Sequence, residues 1–183
     1  MKTHQTAIAV VPPEWCWEPI QAIRRVHDRQ VRRWMPHINL VYPFRPAEEF
    51  DALAGALTRA CMEIEPFDVR LAEFRHFRHG PRSFTLWLAP EPAAALARLQ
   101  AALMSVVPDC DEQVRHPGGF TPHLSVGQVS DAREMERLKT DLQANWRPVS
   151  FRIEGVSLIW RGRPPDDVFR VGRVIPLGTK TEH

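Results

Sequence analysis

Cysteine is scarce in this chain and poorly placed for a covalent scaffold. Cys16, Cys61 and Cys110 are odd in number, far apart and contain no C-x-x-C pair, which argues against a disulfide framework and a thiol-built zinc site. Reduced thiols in a cytosolic protein are the simplest reading, and Cys61, inside an apolar helical pattern, reads as core filler rather than nucleophile. Long apolar runs are missing too. The run from Ala7 to Val11 is stopped by Pro12 and Pro13, so it is shorter than a signal-peptide core and far short of a membrane span. A soluble, cytoplasmic protein with no membrane partner is expected. Charge of one sign is not in excess: 24 basic residues face 22 acidic ones, for a formal net charge of +2. Bulk charge therefore gives no argument for a nucleic-acid partner, and only local clustering of basic residues would. No G-x-x-x-x-G-K-[ST] or G-x-G-x-x-G occurs, so ATP dependence has no support. No low-complexity tract or long linker divides the chain.

With 183 residues, 44% of them apolar, the chain suffices for one generous domain or two small lobes around a shared core. Thr6 to Val11 reads as a buried strand. Pro19 suits the first turn of a helix carrying Ile20, Ile23 and either Val26 or His27. His37 to Phe44 is extended, and Ala47 to Ile64 is a helix with Phe50, Leu53, Leu57 and Cys61 on one stripe. Phe67 to Phe77 and Ser83 to Leu88 predict two strands joined by a turn at His79-Gly80-Pro81. Pro92 to Val107 is helical and Phe120 to Val129 extended. Asp131 and Glu134 form a start signal for a helix carrying Met135, Leu138 and Leu142. Val149 to Trp160 and Val168 to Ile175 close the chain as strands. A helix, a histidine-bearing strand and a second helix occur twice. The order predicts an α+β fold of two pseudo-symmetric lobes, each an antiparallel sheet with helices on its outer face, around a central cleft in a single domain spanning 1–183.

Alternation along the two extended segments brings the candidate chemistry together. In HINLVYPF, His37, Asn39 and Val41 are expected on one face, with Ile38, Leu40, Tyr42 and Phe44 on the other. In TPHLSVGQ, Thr121, His123, Ser125 and Gly127 are expected on one face, with Leu124 and Val126 opposite. Each segment thus sets a histidine beside a small hydrogen-bonding residue, and each histidine follows a proline, Pro36 or Pro122.

This pair of H-x-[N/S]-hydrophobic segments, one per half, resembles the signature of the two-histidine (2H) phosphoesterase superfamily, which includes 2′-5′ RNA ligase-like proteins and RNA 2′,3′-cyclic phosphodiesterases. The resemblance covers most of the chain. It implies a metal-independent hydrolase acting on a 2′,3′-cyclic phosphate, or making or breaking a 2′-5′ linkage, in RNA or a nucleotide, with no cofactor. His37 and His123 are then the catalytic residues, and Asn39 and Ser125 bind phosphate. The second polar residue of the family motif is Ser or Thr; Ser125 fits and Asn39 departs. An amide N–H still donates to a phosphate oxygen but cannot exchange donor and acceptor roles as a hydroxyl does.

Two histidines suit this chemistry because imidazole titrates near neutrality, so one takes a proton from the attacking oxygen while the other gives one to the leaving ribose oxygen. Further substrate-binding candidates are Trp34, Arg33, Arg75 and Arg161. Trp34, just before the first motif, is placed to stack a base. Arg33 ends a basic run with Arg24, Arg25, Arg29 and Arg32 that reads either as a solvated helix face or as a phosphate-tracking patch. Arg75 and Arg78 flank His76 and His79 near a hairpin tip, where solvation or substrate contact is open; the two histidines lack further ligands at metal spacing. Gly118 and Gly119 suit a bending loop before the second motif. An RNA end or small nucleotide is the expected partner, and a monomer is compatible with the sequence. The competing readings are a non-catalytic module of the same fold that binds RNA ends or nucleotides, and a purely structural or interaction domain.

Overall fold

A computed structural model describes residues 1–178. In chain order its elements are β1 (Thr6–Val10), α1 (Trp17–His27), β2 (Ile38–Val41), α2 (Phe50–Met62), β3 (Phe67–Gly80), β4 (Ser83–Glu91), α3 (Ala93–Met104), β5 (Leu124–Val129), α4 (Ala132–Asn145), β6 (Val149–Ile153), β7 (Gly155–Trp160) and β8 (Arg170–Pro176). The strands form two four-stranded sheets, β2-β1-β7-β8 and β5-β4-β3-β6, with every pairing antiparallel. Each histidine motif leads into an edge strand, β2 in one sheet and β5 in the other, and these two edges pack against each other at the cleft. The fold is the expected α+β pair of lobes.

The lobes are not the two halves of the sequence. The segment 149–160, expected as one strand, is two: β6 completes the second sheet, and β7 returns to the first. The crossover turns at Glu154 and Gly155. A Cβ at Gly155 would lie 2.7 Å from the Ile175 carbonyl oxygen, so only glycine lets β7 leave the crossover this close to β8. The hairpin also differs from expectation. β3 runs on to Gly80, which pairs with Ser83, and the turn falls on Pro81-Arg82.

The helices are exchanged between lobes. α1 follows β1 but packs on β5 of the second sheet, and α3 follows β4 but packs on β2 of the first; α2 covers β8, and α4 covers β3 and β4. In α1, Ile20 is buried and Val26 exposed. His27 is the residue that faces inward, its Cβ so near Gly127 that a Cβ there would sit 2.7 Å away. In α2 the stripe Phe50, Ala54, Leu57 and Cys61 is buried, as the three-and-four spacing requires. At α4 the Asp131 carboxylate accepts from the Glu134 amide at 2.9 Å, a cap worth about 1 kcal/mol.

One apolar core runs through both sheets, from Ile8 and Leu40 to Leu86, Leu124 and Val126. A smaller cluster of Ala7, Ala9, Ile159 and Phe169, joined by Trp34, Met35 and Tyr42, lies apart from it on the other face of the first sheet. All three cysteines are buried, and burial pushes the Cys61 thiol up to about 11, which makes it an inert core residue. Where β6 stops pairing at Leu71, the side chain of Gln143 continues the ladder. It accepts from the Phe74 amide and donates to the Ala72 carbonyl, both at 2.9 Å. Among the described residues no helix is long and apolar enough to cross a membrane.

Candidate active site

Both histidine strands carry a β-bulge at the same place. Asn39 pairs with Ala9 and Val41 with Ile8, so Leu40 is an extra residue. Ser125 pairs with Trp87 and Gly127 with Leu86, so Val126 is the extra residue. Each bulge falls immediately after the small polar residue of its motif. Before it, alternation holds as expected, with Ile38 and Leu124 in the core and the motif residues facing away from it. After it, the phase reverses. Val41, expected beside Asn39, is core, and Tyr42, expected in the core, joins the small cluster with Trp34. Gly127 likewise turns inward onto His27 instead of lining up with His123. Both outcomes correct the period-two expectation, and both follow from one added residue.

The histidines are held alike. The Nδ1 of His37 lies 2.7 Å from the Met35 carbonyl oxygen, and the Nδ1 of His123 lies 2.8 Å from that of Thr121. A carbonyl only accepts, so Nδ1 carries the proton in each neutral ring and the lone pair sits on Nε2. Neither Nε2 has a hydrogen-bond partner among the described residues. Pro36 and Pro122 keep the residues before them extended, which helps place those carbonyls. Burial pushes the His37 imidazolium down to about 4; the Met35 carbonyl opposes this, while Arg24 and His123 add to it. His123 is lowered chiefly by burial, against the pull of the Thr121 carbonyl, with His79 and His116 adding repulsion. Asn39 and Ser125 are partly buried beside the histidines. The Asn39 Oδ1 is shut off from solvent and has no partner.

Around His37 the packing is closed. The Trp34 ring stacks on His37 at 4.3 Å and on Phe169 at 3.7 Å, with the Tyr42 ring edge-on at 5.4 Å. Both faces of Trp34 are covered, so it supports the imidazole instead of offering a base a free platform. Behind this stack the loop before β8 is latched. The buried Asp167 accepts from Arg32 at 2.8 Å and from Arg33 Nε at 3.0 Å, and the Phe169 amide donates to the Arg33 carbonyl at 2.8 Å. Arg33 is therefore committed to Asp167. Arg24 is buried too, bonding Asp28 at 2.8 Å and the Trp34 carbonyl at 2.9 Å. Asp28 also accepts from Gln128 on β5 at 2.9 Å, tying the two lobes together beside the cleft. Within the basic run only Arg24 is internal; Arg32 and Arg33 reach from the surface to the buried Asp167, and Arg25 pairs with Glu18 in solvent.

Arg161 stands differently. Its guanidinium lies 5.5 Å from the centre of the Phe169 ring, its Nε is buried without a partner, and Nη1 donates to the Gly162 carbonyl at 3.1 Å. No carboxylate pairs with it among the described residues. It also acts on Tyr42, whose hydroxyl is pushed up by burial and drawn down by Arg161 and Arg33. Arg75 on β3 stands opposite Trp87 on β4 and pairs with Glu73 at 2.9 Å.

Around His123 the packing is open. Phe77 meets the imidazole edge-on at 4.9 Å and Trp87 at 5.9 Å, while Phe77 and Trp87 stack on each other at 4.7 Å. A cavity of about 390 Å³ opens beside His123. Phe77, Gln113 and Phe120, which the sequence did not single out, come from β3 and from the long loop between α3 and β5, and no local pattern joins the two. Among the described residues no three His, Cys, Asp or Glu side chains converge as metal ligands do. His76 lies by Lys139 and Glu136, whereas His79 bonds Thr85.

Comparison with known proteins agrees with this architecture. The chain superposes on TT0787 of Thermus thermophilus with a TM-score of 0.62 at 22% identity, covering 98% of this chain and 100% of that one. It superposes on LigT of E. coli, solved in complex with 3′-AMP, with a TM-score of 0.66 at 18% identity, covering 96% and 99%. A sequence search of curated proteins finds no match. The sequence profile of the 2′-5′ RNA ligase superfamily matches residues 12–165, a span that holds both histidine motifs and both bulges, and the chain belongs to that superfamily of two-histidine phosphoesterases.

Proposed function

We propose that the protein is a phosphoesterase that opens a 2′,3′-cyclic phosphate on an RNA end or a nucleotide, with His37 and His123 as its general acid and base. The observation that carries this reading is the matched tethering: two imidazoles on abutting strands, each with Nδ1 bonded to the carbonyl two residues before it and Nε2 left free. One Nε2 takes a proton from water as its oxygen bonds to phosphorus. The other, protonated, gives its proton to the ribose 3′ oxygen as the P–O3′ bond breaks, leaving a 2′-phosphate. Each positioned transfer is worth roughly 10²–10⁴ in rate. The Asn39 amide and the Ser125 hydroxyl hold the non-bridging oxygens as charge grows on them. Arg161, a cation without a carboxylate partner among the described residues, supplies attraction from the first lobe. Run backwards, the same steps form the phosphodiester, with the two histidines exchanging roles.

Nucleotide binding is supported by relatives of the same fold: LigT of E. coli has been solved with 3′-AMP, with phosphate, with ATP and with NADP+. The test is hydrolysis of the four nucleoside 2′,3′-cyclic phosphates, with and without EDTA, by the wild type and by His37→Ala and His123→Ala. Turnover unaffected by EDTA and lost in both variants is expected. Strong inhibition by EDTA, or activity retained in either folded variant, rules the mechanism out. Binding without turnover by the wild type makes the chain a nucleotide-binding module instead.

A further inference from the structure

The cavity beside His123 has no role in the proton transfers, and its walls are of another kind from those around His37. Phe77, Phe120 and Pro117 give it apolar surface, and Gln113, His116 and the charged Arg78 give it polar groups. Its volume, about 390 Å³, falls in the range of small-molecule sites, which are mostly apolar with a few placed polar groups. That is room for a nucleoside and too little for a duplex. Gln113 is the unusual member. Its Oε1 is shut off from solvent and lacks any donor, a state buried polar groups seldom keep without a ligand or water to meet them.

We propose that this cavity is a nucleobase pocket that prefers adenine, with the ring against Phe120 and the Gln113 carboxamide on the polar edge of the base. The proposal rests on the phosphoesterase reading above, since it is the ribose joined to a phosphate at His123 that carries the base into the cavity. A carboxamide presents an acceptor beside a donor. On the edge that carries N7, adenine alone of the four bases presents the complementary pair, the N6 amine beside the N7 acceptor, which is why Asn and Gln read adenine bidentately there. The first lobe has no competing platform, because both faces of Trp34 are taken. Beside Phe120, Gly118 and Gly119 have φ of 89° and 75°, a left-handed backbone that favours glycine, and nothing lies within 4 Å of where their Cβ atoms would be.

Equilibrium binding decides the matter, with the adenosine, cytidine, guanosine and uridine 2′-monophosphates and, as the base-free probe, ribose 2-phosphate. Adenosine 2′-monophosphate is expected to bind tightest. Phe120→Ala is expected to weaken it by roughly 5- to 150-fold, the range of one lost base–aromatic stack, without changing ribose 2-phosphate. Gln113→Leu, a change on a partly exposed loop, is expected to erase the preference for adenine over uracil while binding of the base-free probe persists. Equal affinity for ribose 2-phosphate and the nucleotides, or an unchanged base ranking in both variants, overturns the pocket. The two readings fail separately. Cyclic-phosphate turnover without base preference removes only the pocket, and base preference without turnover removes only the phosphoesterase. Binding of no probe removes both.

Discussion

The two histidine half-sites share a backbone plan and differ in what surrounds it. Each has a proline, a carbonyl-tethered imidazole, a small polar residue and a bulge in the same order. On the His37 side these are packed shut by the Phe169–Trp34–His37 stack, the Asp167 latch and the buried Arg24–Asp28 pair. On the His123 side the imidazole meets only ring edges, and a cavity opens next to it. One repeated motif thus stands in two different settings. In the function proposed above, backbone symmetry would deliver two proton-transfer groups to one cleft, and side-chain asymmetry would make one lobe a rigid holder and the other a place for the body of the substrate.

If both motifs hold phosphate, Asn39→Ala and Ser125→Ala should each lower kcat by roughly 10²–10³-fold, the usual loss of one donor at a developing charge. Asn39→Ser, which makes the two motifs alike, should leave kcat within a few-fold of wild type. A loss from only one of the two alanine variants would show that the halves do not share the phosphate. Next in size is Phe169→Ala, which empties the space behind Trp34. A buried Phe→Ala change costs about 3–5 kcal/mol, so a large fall in Tm is expected, with kcat falling more than KM rises. A truncation of similar size at Phe120 should instead act on KM, because that ring faces the cavity.

The pH response should separate the half-sites further. The folded-state value of His37, about 4, lies below the ordinary 6.5, so the unfolded chain takes up the proton first. The stability this group contributes is present above pH 6.5 and is lost as pH falls from there toward 4. His37→Gln should flatten that part of the stability curve. An NMR titration should show the His37 midpoint near 4 in the free protein and a midpoint for His123 below 6.5. The smallest effect is expected from Tyr42→Phe. Its hydroxyl makes one long bond, 3.4 Å to the His4 carbonyl, so Tm should move within about 0.5 kcal/mol of equivalent stability.

Much of this was legible in the sequence. The helix stripe of Phe50, Leu57 and Cys61, the Asp131 cap and the two histidine strands all follow from local spacing, and the lobes follow from element order. The features that escaped are non-local. Nothing in INLV or LSVG marks the extra residue that turns Tyr42 outward and Gly127 inward, because a bulge is defined by the partner strand. The run 149–160 has strand propensity throughout, so the exchange of sheets at Glu154 is set by packing against β3 and β1. Trp34 reads as a free stacking surface until Phe169, far along the chain, is seen on its other face. The basic run reads as one patch until Asp28 and Asp167 are found beneath it.

Single-turnover hydrolysis of a nucleoside 2′,3′-cyclic phosphate by His37→Ala, by His123→Ala and by the double variant, each confirmed folded by its melting curve, tests the paired imidazoles. If the imidazoles act as a pair across one phosphorus, each single change should cost about 10²–10⁴-fold, and the double should be little slower than the slower single, as expected for groups that work as a unit. Retention of near-wild-type turnover by either single variant, or multiplication of the two losses in the double, would contradict it.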